Sequence, residues 1–369
     1  MKRTAEPLRP ARTVAPGAIL RRELEERGWS QKDLAEITGR PEQALSEIIR
    51  GKKEITPETA LDFARAFGTS AELWMNLQSA WQLHQARAGD WRDDIERRSR
   101  IYSIAPVAEI TRRGWLRGGA TLDQLEAEVC RFLGIRSLTD QPEFGARLRH
   151  SAERGPELSA QVAWLRRVES LAAGSSVSHF SRKGLEAGLR DLLPLARRSE
   201  GVAMVPDVLG GLGVRFVVVP HLSRTFLDGA TFLREGAPIV AVTLRYDRID
   251  SFWFTLMHEL AHVFLGHEGI SLDTTGTEAA GEPVSRDEAQ ANRMAKAWLI
   301  PEDAWQAFAG TGERRFPAQK VGAFAESIGR HPGLVVGRLH HEERLPFSHL
   351  RGLLVKVSPF LASRIDRAA

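Results

Sequence analysis

The sequence predicts a multidomain chain: an all-α domain at the N-terminus, a helical middle segment, and an α+β domain at the C-terminus. Three observations lead there. The 369 residues are too many for one small core and point to two or three domains. Residues 14 to 88 carry short helical patterns broken by glycines and prolines, without a strand signal. β-type runs begin only after residue 200, and they lead into an apolar helix that contains a His-Glu-x-x-His pattern. The expected divisions are a mobile basic arm (1–13; Lys2, Arg3, Arg9, Arg12), a first domain (14–88), a helical linker or packing region (89–200) and a last domain (201–369).

Hydrophobic content of 43% and charged content of 27% are those of a soluble globular protein and argue against disorder over the whole length. No stretch approaches the roughly 20 apolar residues of a membrane helix. MKRTAEPLRPARTVAPGAIL has a basic start but no apolar run of a signal peptide, so a cytoplasmic location is expected. The single cysteine, Cys130, excludes a disulfide framework and a cysteine-based zinc cluster; any metal must rest on His and carboxylate groups. Residues 1–90 hold 14 Lys+Arg against 13 Asp+Glu, 91–200 hold 19 against 15, and 201–369 hold 18 against 19. With charges of +1, +4 and −1, no domain is strongly basic, and DNA binding has to be argued from motif geometry.

Pro16 suits a helix start, Ile19, Leu20 and Leu24 follow at helical spacing, and Gly28 ends that helix. Ser30 caps the next, SQKDLAEIT, which carries Leu34 and Ile37 on one face and breaks at Gly39. PEQALSEIIRG restarts at Pro41, with Leu45, Ile48 and Ile49 inward, and stops at Gly51. A fourth helix follows Thr56-Pro57 and a fifth follows Thr69-Ser70. This five-helix pattern resembles the lambda-repressor-like helix-turn-helix domain of the HigA-type antitoxins, over about residues 14–85. The resemblance implies that Pro41 to Arg50 enters the major groove. It sets Glu42, Gln43, Ser46 and Glu47 toward base edges, and Gln31, Arg50, Lys52 and Lys53 toward the phosphates. The acidic pair departs from the usual pattern: carboxylates accept from cytosine but repel phosphates, which implies narrow sequence choice and modest affinity. A helical domain that binds protein is the alternative.

LDQLEAEVCRFLGI, PELSAQVAWLRRVESLAAG and GLEAGLRDLLPLA show the 3.6-residue period, and their arginines alternate with acids as on solvated faces. No chemical motif falls there. Three β-type runs then follow at Val214 to Pro220, Gly229 to Glu235 and Pro238 to Leu244, with a hairpin at Gly236 and a further strand expected at Leu353 to Val357.

DSFWFTLMHELAHVFLGH is expected to be one buried helix, capped by Asp250 or Ser251 and ended by Gly266. Four residues at 3.6 per turn bring His258 and His262 to nearly the same angle, so both imidazoles can reach one ion, with Glu259 beside them. Left unpaired in an apolar helix, such groups would each cost roughly 2–7 kcal/mol. Two core histidines bonded within a helix bundle are the alternative. A catalytic zinc needs a third protein ligand. In DEAQANRMAKAWLIP the apolar face is Ala291, Met294, Ala295, Trp298 and Leu299, and Glu288 lies on it, 26 residues after His262. Glu288 is assigned as third ligand and Asn292 as the group that orients His258. Ser285-x-x-Glu288 is also a capping box, in which the carboxylate would satisfy a backbone N–H instead. Asp287 and Gln290 compete, but Asp287 turns off the apolar face and an amide is a poor zinc ligand.

FTLMHELAHVFLGH followed by EAQANRMAKAWLIP resembles the ImmA/IrrE family of metallopeptidases, gluzincin-like (zincin-fold) proteins, over about residues 200–345. The resemblance implies a peptidase that cleaves a regulatory DNA-binding protein. Many members carry a second glutamate where this chain has Gln290, which favours Glu288. Zinc held by His258, His262 and Glu288 would activate water, with Glu259 moving its proton to the leaving amine. His331 or Tyr246 are candidates for the oxyanion donor. Two functions are thus in view. One is a homodimeric transcriptional regulator binding a double-stranded DNA operator and carrying a zinc metallo-endopeptidase. The other is a non-catalytic transcription factor or antitoxin whose metal domain senses a ligand or binds a cognate toxin.

Overall fold

Glycines and prolines set the helix ends of the N-terminal part. In the computed structural model, which describes residues 13–87, 92–117, 119, 121–144, 156–267, 270–273, 285–310 and 315–366, the chain divides into two units, Met1–Arg97 and Arg98–Ala369. Lys2, Arg3, Arg9 and Arg12 of the expected arm lie outside the described residues. The first unit holds α1 (Pro16–Arg27), α2 (Gln31–Thr38), α3 (Glu42–Ile49), α4 (Pro57–Phe67) and α5 (Ala71–Arg87). Gly28, Gly39 and Gly68 take the left-handed conformation that ends a helix, and Ser30 forms a full capping box with Asp33. Leu20, Leu34, Leu45, Ile48, Phe63 and Trp74 form the core of this unit. Gly17 is required where α1 meets α3: a Cβ there would stand 2.4 Å from the carbonyl oxygen of Ile48.

The second unit is a sheet covered on both faces. After α6 (Arg92–Ile104), which begins before the division, come α7 (Val107–Arg112), α8 (Leu122–Leu133), α9 (Pro156–Ala173), α10 (Arg182–Leu192) and α11 (Val205–Gly211). β1 (Arg215–Val218), β2 (Gly229–Arg234), β3 (Ala237–Val242) and β4 (Ser271–Asp273) form a sheet of order β1-β3-β2-β4. β1 runs parallel to β3; β2 is antiparallel to β3 and to β4. The β2–β3 hairpin turns on Glu235 and Gly236, with φ of 51° and 76°, the two positive values of a type I′ turn. Central β3 is buried along its whole length, and its alternation separates two cores. Ile239 and Ala241 face Trp164, Leu165 and Val168 of the middle helices, whereas Val240 and Val242 face Phe252, Trp253 and Leu256. The helices of residues 98–173 thus share a core with the sheet.

The second face carries α12 (Ile249–Leu265), α13 (Arg286–Leu299), α14 (Glu302–Ala309), α15 (Ala318–Ser327) and α16 (Pro332–His341). Two expectations are corrected here. The segment from Leu353 to Val357 is not a strand: Leu353 closes a short 3₁₀ turn (Arg351–Leu353), and the Val355 carbonyl accepts from the first N–H of α12, Ile249, at 2.9 Å. That bond replaces the side-chain cap expected of Asp250 or Ser251. Asp250 instead pairs with Arg248 at 2.6 Å inside the first turn.

His221, His331 and His340 are each pushed below the usual imidazole value by burial, with nearby cations adding to it at His221 and His340. Their folded pKa lies below the unfolded one, so the unfolded chain binds more protons as pH falls. Their contribution to stability is complete above about pH 6.5 and declines below it. The urea midpoint in the presence of a chelator is therefore expected to be higher at pH 7.5 than at pH 5.5; equal midpoints would contradict this assignment.

Candidate metal centre

The buried helix α12 brings its polar residues to one place. His258 and His262 are 1% and 3% exposed and Glu259 is fully buried. Their Nε2 atoms lie 3.0 Å apart. α13 packs across α12 and supplies Glu288, whose Oε2 is 3.1 Å from His258 Nε2 and whose Oε1 is 3.4 Å from His262 Nε2. One ligand atom from each of these three side chains lies within 4.8 Å of the others. A tetrahedral zinc with bonds of 2.0–2.1 Å places neighbouring ligand atoms about 3.3 Å apart, so these separations fit such an ion.

The protons agree with this. Asn292, one turn after Glu288 on α13, stands with Oδ1 3.0 Å from His258 Nδ1. The ring donates there, which leaves its Nε2 lone pair directed at the cluster. Burial opposes ionisation of Glu288, but when His258 and His262 are protonated their hydrogen bonds and charge outweigh it and hold the carboxyl well below the usual range. A bound cation would take the place of those protons and leave both Nε2 lone pairs to it. Two imidazole lone pairs and a carboxylate in contact form a donor set for a cation. Ser285 accepts the N–H of Glu288 at 3.1 Å and caps α13, but the Glu288 carboxylate turns to the histidines rather than back to the cap.

β2 holds Glu259 in place. The Thr231 hydroxyl donates to the Glu259 carbonyl at 3.3 Å. A Cβ on Gly229 would stand 2.7 Å from both Glu259 Oε1 and Thr255 Cγ2. Gly229 is therefore the residue that lets the strand approach the carboxylate. Beside it, a cavity of about 630 Å³ is lined by Asp228, Phe254, Thr255, Tyr246, Lys296 and His341 among others. The Phe254 ring lies 6.2 Å from that of His258 and 6.4 Å from that of His341, which ties the cavity to the cluster.

Tyr246, 43% exposed, lies at the cavity under the guanidinium groups of Arg245 (5.1 Å) and Arg248 (5.9 Å). His331 is not brought to the cluster. It is the N-cap of α16, its Nδ1 accepting from Gly333 N at 3.0 Å, and Gly333 packs on Ile249. Ile249 precedes His258 by nine residues, or about 13 Å of helix. The ring is spent on a cap at the far end of α12, so His331, expected from the sequence as an oxyanion donor, is a structural cap instead. Gln290, a rival ligand by sequence, stands 3.3 Å from His267, and Asp287 3.7 Å from it. His267 was missed: its Nδ1 is 2.9 Å from His262 Nδ1. Helical periodicity cannot reveal it, because Gly266 turns the chain at φ 71° and folds His267 back over His262.

In the first unit, Glu42, Gln43, Ser46 and Glu47 lie along the exposed or half-exposed side of α3, opposite buried Leu45, Ile48 and Ile49. Gln43 donates to Glu47 at 3.2 Å, and Arg50 donates to the Ser46 carbonyl at 3.1 Å. Lys52 and Lys53 are exposed in the turn that follows, and Gln31 is half-buried at the start of α2. Among the described residues no helix is long and apolar enough to cross a membrane.

Residues 20–74 match the helix-turn-helix family, and residues 228–316 match the IrrE N-terminal-like domain. The chain is 34% identical over 71 residues to the uncharacterized HTH-type transcriptional regulator YddM of Escherichia coli K12, covering 19% of this chain and 76% of that protein. It is 36% identical over 77 residues to antitoxin HigA-1 of Vibrio cholerae, covering 21% and 72%. A solved structure of Pseudomonas aeruginosa antitoxin HigA with the higBA promoter shares 38% identity, with 21% of this chain and 85% of that chain covered and a TM-score of 0.20.

Proposed function

Since the chain belongs to the HTH-type transcriptional regulators through its N-terminal helices and carries an IrrE N-terminal-like domain, we propose a DNA-binding regulator that is also a zinc-dependent metallo-endopeptidase acting on a regulatory protein. The observation that carries the enzymatic part is the convergence of His258, His262 and Glu288 beside buried Glu259. His258, His262 and Glu288 hold the ion, and a gluzincin-like arrangement follows from a third ligand on a second helix. Zinc, when bound, supplies Lewis acidity that activates water near neutral pH and polarises a carbonyl. Glu259 takes the proton of the attacking water and passes it to the leaving amine. Asn292 keeps His258 oriented. The adjoining cavity receives a substrate side chain, with apolar walls at Phe254 and Leu299 and cations at its rim. The test is incubation of the zinc-loaded chain with any repressor or antitoxin-like protein that its neighbouring genes encode. Cleavage that a chelator stops supports the proposal; an intact partner under every condition supports a non-catalytic regulator or toxin-binding antitoxin.

For the DNA-binding part, the exposed side of α3 reads bases while Gln31, Arg50, Lys52 and Lys53 meet phosphates, and a homodimer would read two half-sites one helical turn apart. Lys52→Ala and Lys53→Ala are expected to weaken operator binding uniformly across sequences and to lower the log–log salt slope by about 1 each. Gel-shift titrations at several salt concentrations check this, and an unchanged slope would contradict it.

A further inference from the structure

The two histidines of the cluster are backed from behind by different groups. Asn292 takes the Nδ1–H of His258. Behind His262 stands a third imidazole, His267, half-buried, with Nδ1 2.9 Å from His262 Nδ1 and Nε2 3.3 Å from Gln290 Oε1. One assignment of protons satisfies the whole row. With its Nε2 lone pair toward the cluster, His262 carries its proton on Nδ1 and donates it to Nδ1 of His267. His267 then carries its own proton on Nε2 and donates to the Gln290 amide oxygen, with Asp287 Oδ1 3.7 Å away. The opposite tautomer of His267 would set two N–H groups against each other at 2.9 Å. The backbone enforces the contact: past Gly266, the His267 N–H donates to the His262 carbonyl at 3.1 Å.

We infer that His267 is a positioning residue for the metal, anchored by Gln290: it fixes the tautomer of His262 that presents Nε2 and holds that ring in place. This rests on the zinc reading above. The test measures zinc affinity of the full-length chain by chelator competition, without reference to cleavage. His267→Phe keeps the ring shape but removes the acceptor, and is expected to weaken zinc binding about 10–100-fold. His267→Asn, whose amide oxygen can stand where Nδ1 stands, is expected to recover most of the loss. Gln290→Leu removes the anchor and is expected to shift affinity in the same direction by a smaller factor. A wild-type chain that binds no zinc overturns both readings. Zinc bound equally well by wild type and His267→Phe overturns the role of His267 alone. Should His267→Phe fail to fold, wild-type affinity in Gln290→Leu overturns it, as does equal loss in the Phe and Asn variants.

Discussion

Replacing Glu259 by Gln is expected to leave zinc binding intact and to lower cleavage of the protein substrate by about 10²–10⁴-fold, the usual contribution of a positioned acid–base group. The amide has the shape of the carboxylate, so it fits the same place beside Gly229, and the Thr231 bond to the Glu259 backbone persists. Glu259 is not among the three residues whose ligand atoms converge, so the metal set is untouched. What changes is basicity: an amide cannot accept the proton of the attacking water. A single-turnover cleavage assay alongside zinc analysis separates the two properties. Undiminished cleavage by Glu259→Gln would remove the proposed chemistry, and loss of zinc in that variant would show Glu259 to be a ligand.

Replacing Glu288 by Ala is expected to weaken zinc binding by more than the ~10–100-fold associated with a residue that merely orients a ligand. Only His258 and His262 would remain, 3.0 Å apart. Ser285 would continue to cap α13, since its Oγ accepts the backbone N–H at position 288, which Ala retains. Chelator competition on the variant decides the matter. Wild-type zinc affinity combined with lost helix stability would return Glu288 to the capping role that Ser285-x-x-Glu288 also permits.

Much of this site is legible in the sequence because helices map spacing onto direction. The four-residue interval of His258 and His262, the acidic residue on the apolar face of the next helix, and Asn292 one turn beyond it all follow from 3.6-residue geometry. The helix ends at Gly28 and Gly39, and the hairpin at Gly236, follow from the left-handed conformation that glycine adopts easily. What is not legible depends on contacts distant in sequence. His331 looks like a free imidazole near the end of the domain, yet it is a helix cap next to Ile249. β4 is three residues long, too short to display alternation, and exists through its pairing with β2. Leu353 to Val357 is apolar enough for a strand, but its carbonyl at Val355 serves the first turn of α12. His267 and Gly229 matter through what they approach, Nδ1 of His262 and Oε1 of Glu259, and no local pattern encodes such approaches.

His258, His262 and Glu288 are expected to bind one zinc ion. Metal analysis of the full-length chain after exhaustive dialysis, beside a variant carrying His258→Ala and His262→Ala, tests it most directly. One equivalent of zinc in the wild type and none in the double variant is the expected result. No zinc in the wild type, or an equivalent retained without the two histidines, would contradict it.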